Sequence, residues 1–232
     1  MGQAAAADIA EELRTRLRRQ AEVRMVFAAA PSQDSMLESL AVADGIDWSR
    51  VTALHMDEYV GIDTSVPQSF ARYLNDRLFD PVRPGRVELI DGSAEPDAEA
   101  RRYSGLLAEG PVDIVCLGIG ENGHIAFNDP QFADFADPLS VKVVDLDTRS
   151  RQQQVNDGCF AQLSDVPERA ITLTIPALTS GQCLFCVVPG QTKAAAVRSA
   201  LRDPVSPACP ATILREHPAC RLYLDPESAP TD

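Results

Sequence analysis

Apolar positions along this chain switch repeatedly between a helical and an extended rhythm. Over residues 5–19, Ile9, Ala10, Leu13 and Leu17 recur at helical spacing with Glu and Arg opposite, which predicts an amphipathic helix. VRMVFAAA (23–30) reads as a strand, and Pro31-Ser32 opens a helix over QDSMLESLAVA (33–43). A second strand, VTALHM (51–56), leads to a helix over 66–80 with Pro67 near its first turn. RVELIDG (86–92) is a short strand, and residues 95–110 form a helix with acidic residues first and Gly110 at its end. PVDIVC (111–116) has almost no polar alternation, as expected of a strand buried on both faces. VKVVDL (141–146), RAITLTIPAL (169–178) and CLFCVVPG (183–190) continue the apolar series. A helix over 191–201 and a last strand, CRLYLD (220–225), complete it. Strands alternating with helices predict an α/β fold with a largely parallel sheet covered on both faces, in one domain spanning 1–232.

Composition narrows the partners. A net charge of −13 argues against nucleic acid, whose binding needs clustered Lys and Arg. It also requires a local positive site for any anionic substrate. No apolar run is long enough to span a bilayer, and the N-terminal segment lacks a secretory pattern, so a cytoplasmic protein without a membrane partner is expected. Six cysteines include the pair Cys183 and Cys186, whose spacing suits zinc or redox chemistry. They lie in an apolar strand, where residues three apart face opposite ways, so both read as core.

Polar clusters fall where strands end: HMDEYVG after the second strand, GIGENGHIAFNDP after PVDIVCL, and PGQTK after CLFCVV. Such convergence is how an open α/β sheet builds a ligand crevice. In the first cluster, Asp57 and Glu58 are flanked by Met56 and Tyr59, so one carboxylate is expected to be partly buried and a better base near neutrality. In the second, Gly120 and Gly123 allow close backbone approach to a ligand, while His124 has carboxyl and amide neighbours to set its tautomer. Lys193, one of two lysines in the chain, sits in the first turn of a helix, where the dipole disfavours a cation. An anion held there would explain it.

The strings LHMDEYVGI…VPQSFARYL, LGIGENGHIAFNDP and VVPGQTKAAAV, in that order, resemble the glucosamine-6-phosphate deaminase/isomerase family, sister to the 6-phosphogluconolactonases. The resemblance runs from about residue 20 to 226. It implies a three-layer Rossmann-like fold and interconversion of an amino-aldose phosphate with a ketose phosphate plus ammonia, with no metal or cofactor. By the same resemblance, Asp57 is the proton-shuttling carboxylate and His124 opens the sugar ring. Asp129 stands where a glutamate commonly orients that histidine, and Asn122 where many members have aspartate. Ser32, Gln154 and Lys193 fall on phosphate-binding positions, with Glu58 beside the base.

The departures are concentrated at the phosphate end. The Gly/Ser/Thr-rich loop of the family reads AAAPSQDSM here, with Pro31 unable to donate and Asp34 adding negative charge. Gln154 replaces an arginine, although Arg149 and Arg151 are near in sequence. The sequence therefore predicts a sugar or sugar-phosphate substrate with a weakened preference for phosphate. A lactonase, with the histidine activating water, and a non-catalytic sugar-sensing module are the alternatives. MDEY and HIAFN favour the deaminase, and no helix-turn-helix or basic face supports a regulator. Family members are often oligomeric, which leaves a homo-oligomer open.

Overall fold

The computed structural model describes residues 1–230. In chain order its elements are α1 (Gly2–Leu17), β1 (Val23–Phe27), α2 (Asp34–Ala41), β2 (Val51–His55), β3 (Asp57–Tyr59), α3 (Phe70–Leu74), α4 (Asp80–Val82) and β4 (Arg86–Glu88). They continue with α5 (Pro96–Ala108), β5 (Ile114–Leu117), β6 (Val141–Asp145), α6 (Thr148–Asn156), β7 (Arg169–Leu173), α7 (Ile175–Thr179), β8 (Cys183–Val188), α8 (Ala194–Arg202) and β9 (Cys220–Leu224).

Six strands form a parallel sheet in the order β4-β2-β1-β5-β8-β9. Successive strand residues feed different cores, as the two-residue period demands. Val23, Met25, Phe27, Cys116, Phe185 and Val187 join α1 and α2 on one face. Val26, Leu54, Leu117, Leu184, Cys186 and Val188 join Tyr103 of α5 and Val197 of α8 on the other. Cys183 packs on the rim of the first core and Cys186 lies inside the second, so the CxxC spacing does not bring the two thiols to one face. Among the described residues, no helix is long and apolar enough to cross a membrane.

Two predicted strands lie outside that sheet. β6 and β7 pair antiparallel with each other, and β7 pairs antiparallel with β3, making a second sheet in the order β3-β7-β6. RAITLTIPAL is also not continuous: β7 stops at Leu173, and the Thr174 side chain accepts from Ala177 N to start α7 at Ile175-Pro176.

The helix expected over 66–80 begins only at Phe70, leaving Pro67 outside. The cause is tertiary. Glu58, fully buried on β3, accepts from Phe70 N at 3.2 Å, Ala71 N at 2.9 Å and Ser69 Oγ at 2.7 Å, as well as from Tyr59 N at 2.9 Å. A carboxylate on the small sheet thus binds the free N–H groups of a helix start, where negative charge is favoured. Burial raises the Glu58 pKa, and these hydrogen bonds work against that rise. Glu58 is consequently a structural cap, not the substrate contact expected from its place beside Asp57. Glu58→Gln turns one acceptor into a donor facing donors. It should cost roughly 2–3 kcal/mol, seen as a Tm lowered by about 4–12 °C in thermal unfolding.

Candidate active site

The parallel sheet reverses direction of growth between β1 and β5, because β2 and β4 extend one way from that pair and β8 and β9 the other. Ligands of open α/β sheets bind beyond the carboxyl ends of strands at such a point. A cleft lies there, lined by Ala28–Ala30, Ser32 and Gln33 after β1, Met56 and Asp57 after β2, Gly118–Gly120 after β5, and Lys193 after β8. His124, Ala126, Phe127, Phe70, Gln153 and Gln154 complete it.

Asp57 is placed by the junction of the two sheets. Met56 N donates to Phe27 O of β1 at 3.1 Å, while Met56 O accepts from Leu173 N of β7 at 2.8 Å. The chain thus leaves the large sheet and enters the small one across a single residue, turning Asp57 into the cleft's wall. Asp57 is 7% exposed, and its carboxylate makes no hydrogen bond among the described residues. Burial, reinforced by the neighbouring charge of Glu58, pushes its carboxyl well above the usual carboxylate range.

His124 is held by a compact polar group. Its Nδ1 lies 2.7 Å from Asn122 Oδ1, 3.1 Å from Asp129 Oδ1 and 3.1 Å from Ser150 Oγ. Asn122 Nδ2 donates to Asp129 Oδ1 at 2.9 Å, which fixes its amide with Oδ1 toward the ring. The Ser150 hydroxyl also donates to Asp129 Oδ1. With carboxylate and amide oxygens converging on it, Nδ1 carries the proton, leaving Nε2 with a free lone pair. Burial opposes ionisation of Asp129, but hydrogen bonds from His124, Asn122 and Ser150 outweigh it and hold its carboxyl at about 2.

The loop carrying these groups is pinned to β7. Asn128 Nδ2 donates to Leu173 O at 2.8 Å and Ile125 O at 3.0 Å, and Phe127 N donates to Thr172 Oγ1 at 3.1 Å. The tight turn so formed puts Ala126 at φ 49°, a left-handed conformation that costs a non-glycine residue energy.

Gly120 lines the cleft, and both glycines also make room within the protein. A Cβ on Gly120 would lie 2.2 Å from the His124 ring, so its missing side chain makes room for the imidazole. Gly123 has φ +86°, does not line the cleft, and a Cβ there would meet Cys209 Sγ at 2.7 Å. Both glycines admit other parts of the protein.

Of the positions that the family resemblance assigns to phosphate, Ser32, Gln154 and Lys193 do come together in the cleft. Lys193 Nζ is buried without a hydrogen-bond partner among the described residues, and burial lowers its pKa against the opposing charges of Asp157 and Glu121. Neither nearby arginine joins it. Arg149 is exposed on an adjoining groove with Glu121, Asn122 and Thr192. Arg151 donates to the carbonyls of Leu163 and Val166 at 3.0 and 2.8 Å. Asp34 is not a free negative charge, since Tyr73 and Arg77 both donate to its Oδ1. Sequence reasoning missed Ser150, Gln33 and Gln153. Ser150 gave no signal, and Gln33 was legible only as part of an altered loop.

Residues 1–222 match the model of the family described as glucosamine-6-phosphate isomerases/6-phosphogluconolactonase. The glucosamine-6-phosphate deaminase of Listeria innocua is 35% identical over 209 residues, 90% of this chain and 87% of that protein. That of an Exiguobacterium species is 38% identical over 187 residues, 80% of this chain and 72% of that one. A solved monomeric glucosamine-6-phosphate deaminase superposes with a TM-score of 0.89 at 29% identity, covering 98% of this chain and 93% of its own. The 6-phosphogluconolactonase of Thermotoga maritima, at 19% identity and a TM-score of 0.77 over 96% and 94% of the two chains, shares the fold. With nearly its whole length matched, the chain belongs to the family of glucosamine-6-phosphate isomerases and 6-phosphogluconolactonases.

Proposed function

We propose that this protein is an aldose–ketose isomerase/deaminase that releases ammonia from a 2-amino-2-deoxy sugar, the class of reaction named for its deaminase relatives. The observation that carries the reading is the Asp57 carboxylate, buried at the cleft with a raised pKa and no hydrogen-bond partner. A carboxylate kept in that state is a stronger base than one in water and is free to meet a substrate proton.

The sequence of proton transfers follows from the two groups. His124 Nε2 takes the proton of the anomeric hydroxyl and returns one to the ring oxygen, breaking the C1–O5 bond and exposing the C1 aldehyde. Asp57 then removes the C2 proton, acidified by that aldehyde; the electron pair forms the C1=C2 double bond while the carbonyl pair moves onto O1, which takes a proton from solvent to give an enolamine. Reprotonation at C1 by the same carboxyl leaves an imine at C2. Water adds to the imine carbon and ammonia departs, giving the ketose. Asp129, Asn122 and Ser150 hold His124 with Nδ1 protonated, so that Nε2 alone exchanges protons. Every step is acid–base chemistry.

The base is tested by Asp57→Asn, which should lower turnover by ~10²–10⁴-fold and abolish solvent exchange at C2. The same change has a stability signature. A carboxyl whose folded pKa is raised holds its proton longer in the folded state, so wild-type stability falls as pH rises above the unfolded value. The Tm of the variant minus that of the wild type should therefore grow as pH rises above about 4. Near-wild-type turnover would remove Asp57 from the reaction.

The ring-opening group is tested separately. His124→Gln should cripple turnover of the cyclic sugar while sparing C2 exchange in an open-chain substrate; equal loss on both would assign it another role. Asp129 contributes stability that is complete above its unfolded pKa of 3.8 and lost as pH falls toward about 2. The Tm gap between wild type and Asp129→Asn should thus narrow as pH falls from about 5 to about 2.

A further inference from the structure

Two buried polar atoms of cleft-lining residues have no partner among the described residues: Gln33 Oε1 and Lys193 Nζ. Gln33 is fully buried, and its amide cannot be turned over. Nε2 donates to Val187 O and to Ser32 Oγ, both at 3.1 Å. Exchanging the two amide atoms would set an oxygen against the Val187 carbonyl. Oε1 is therefore the atom left for a ligand, and it can only accept. An unmet buried acceptor is costly, so the molecule that fills the cleft has to bring a donor.

Lys193 as an ammonium can only donate. A group that satisfies both residues must accept from one and donate to the other. A hydroxyl does both, whereas a phosphate dianion only accepts. The charges point the same way. Among the described residues lining the cleft, Lys193 is the only lysine or arginine, and Asp57 contributes a carboxyl to the same space. Arg151, the nearest candidate to reinforce it, is tied to Leu163 and Val166.

We propose that Gln33 is a specificity-determining residue and that the sugar end it meets is a neutral hydroxyl, so that an unphosphorylated amino sugar is preferred to its phosphate ester. This rests on the deaminase reading given above. It does not depend on the charge of Asp34, which Arg77 and Tyr73 occupy, but on an unpaired acceptor and a single lysine in the lining of one cleft.

The test is ammonia release from matched 2-amino-2-deoxyhexoses of gluco, galacto and manno configuration, each free and as its 6-phosphate. Within the pair that reacts, kcat/KM should favour the free sugar by roughly ten- to hundredfold, the discrimination expected from one unmet buried hydrogen bond and an uncompensated charge. Gln33→Lys keeps a donor near the Val187 carbonyl, removes the acceptor and adds a cation; it should shift the ratio toward the phosphate ester by at least about tenfold. Gln154→Arg, which leaves Gln33 untouched, should shift it in the same direction and serves if Gln33→Lys does not fold. A wild-type preference for the phosphate ester, or a ratio unmoved by either substitution, overturns the proposal. Should no pair release ammonia, the deaminase reading falls, and a thermal titration with inorganic phosphate still decides the inference. Millimolar phosphate should leave the wild-type Tm unchanged and raise that of Gln154→Arg, whereas a rise in the wild type would contradict a hydroxyl-accepting end.

Discussion

The arrangement of the cleft depends on two backbone hydrogen bonds of one residue. Met56 donates to the carbonyl of Phe27 in the parallel sheet and accepts from Leu173 in the antiparallel one. Because strand ladders are directional, a residue that serves two of them has little conformational freedom left. The carboxylate that follows inherits that rigidity. Glu58, one residue further, points away to bind the start of α3, so two adjacent acids are committed to opposite duties by the alternation of a strand. The same small sheet holds the other half of the site, since Asn128 and Phe127 are tied to Leu173 and Thr172 of β7. Asp57 and His124 are therefore referenced to one strand, although they lie 67 positions apart in the chain.

Electrostatically the cleft is a place where charges are held in unequal states. Asp129, surrounded by three side-chain donors and the Asp147 N–H, keeps its carboxylate down to about pH 2 and acts as a permanent anchor for the imidazole. Asp57, with burial and no donor, is pushed the other way. In the reaction we propose, two carboxyl groups with opposite shifts divide the work of orienting and of accepting a proton. Lys193 and Gln33 add a third state: buried polarity with nothing to pair to, which is costly unless a ligand completes it. Such groups are retained where the fold is built to receive something.

Much of this was legible in the chain itself. The apolar rhythm marked β1, β2, β5 and β8 and the helices between them, because burial on both faces leaves a signature that no neighbour is needed to read. Polar strings at strand ends pointed to Asp57, His124 and Lys193 for the same reason: in a parallel sheet all carboxyl ends face one way. The segments 141–146 and 169–178 could be seen to be apolar, but not to which sheet they belong. Strand partners are chosen by long-range hydrogen bonds, and alternation in one segment carries no information about the partner.

What only tertiary structure decided is therefore specific. Gly120 looked like a residue that makes way for a ligand, and the space it leaves is filled by His124. Glu58 looked like a second acid at the site, and its oxygens are spent on a helix start. Arg151 was a plausible replacement for a lost cation until its guanidinium was found on two carbonyls. Ser150 was invisible, since a serine in a polar helix has no pattern to betray it, yet it reaches both His124 and Asp129. Local sequence determines which segments bury and where polar groups gather, because those depend on each residue's own chemistry and period. It does not determine which buried donor meets which acceptor, because that choice belongs to residues distant in the chain and is made only when the fold brings them within three ångströms or so.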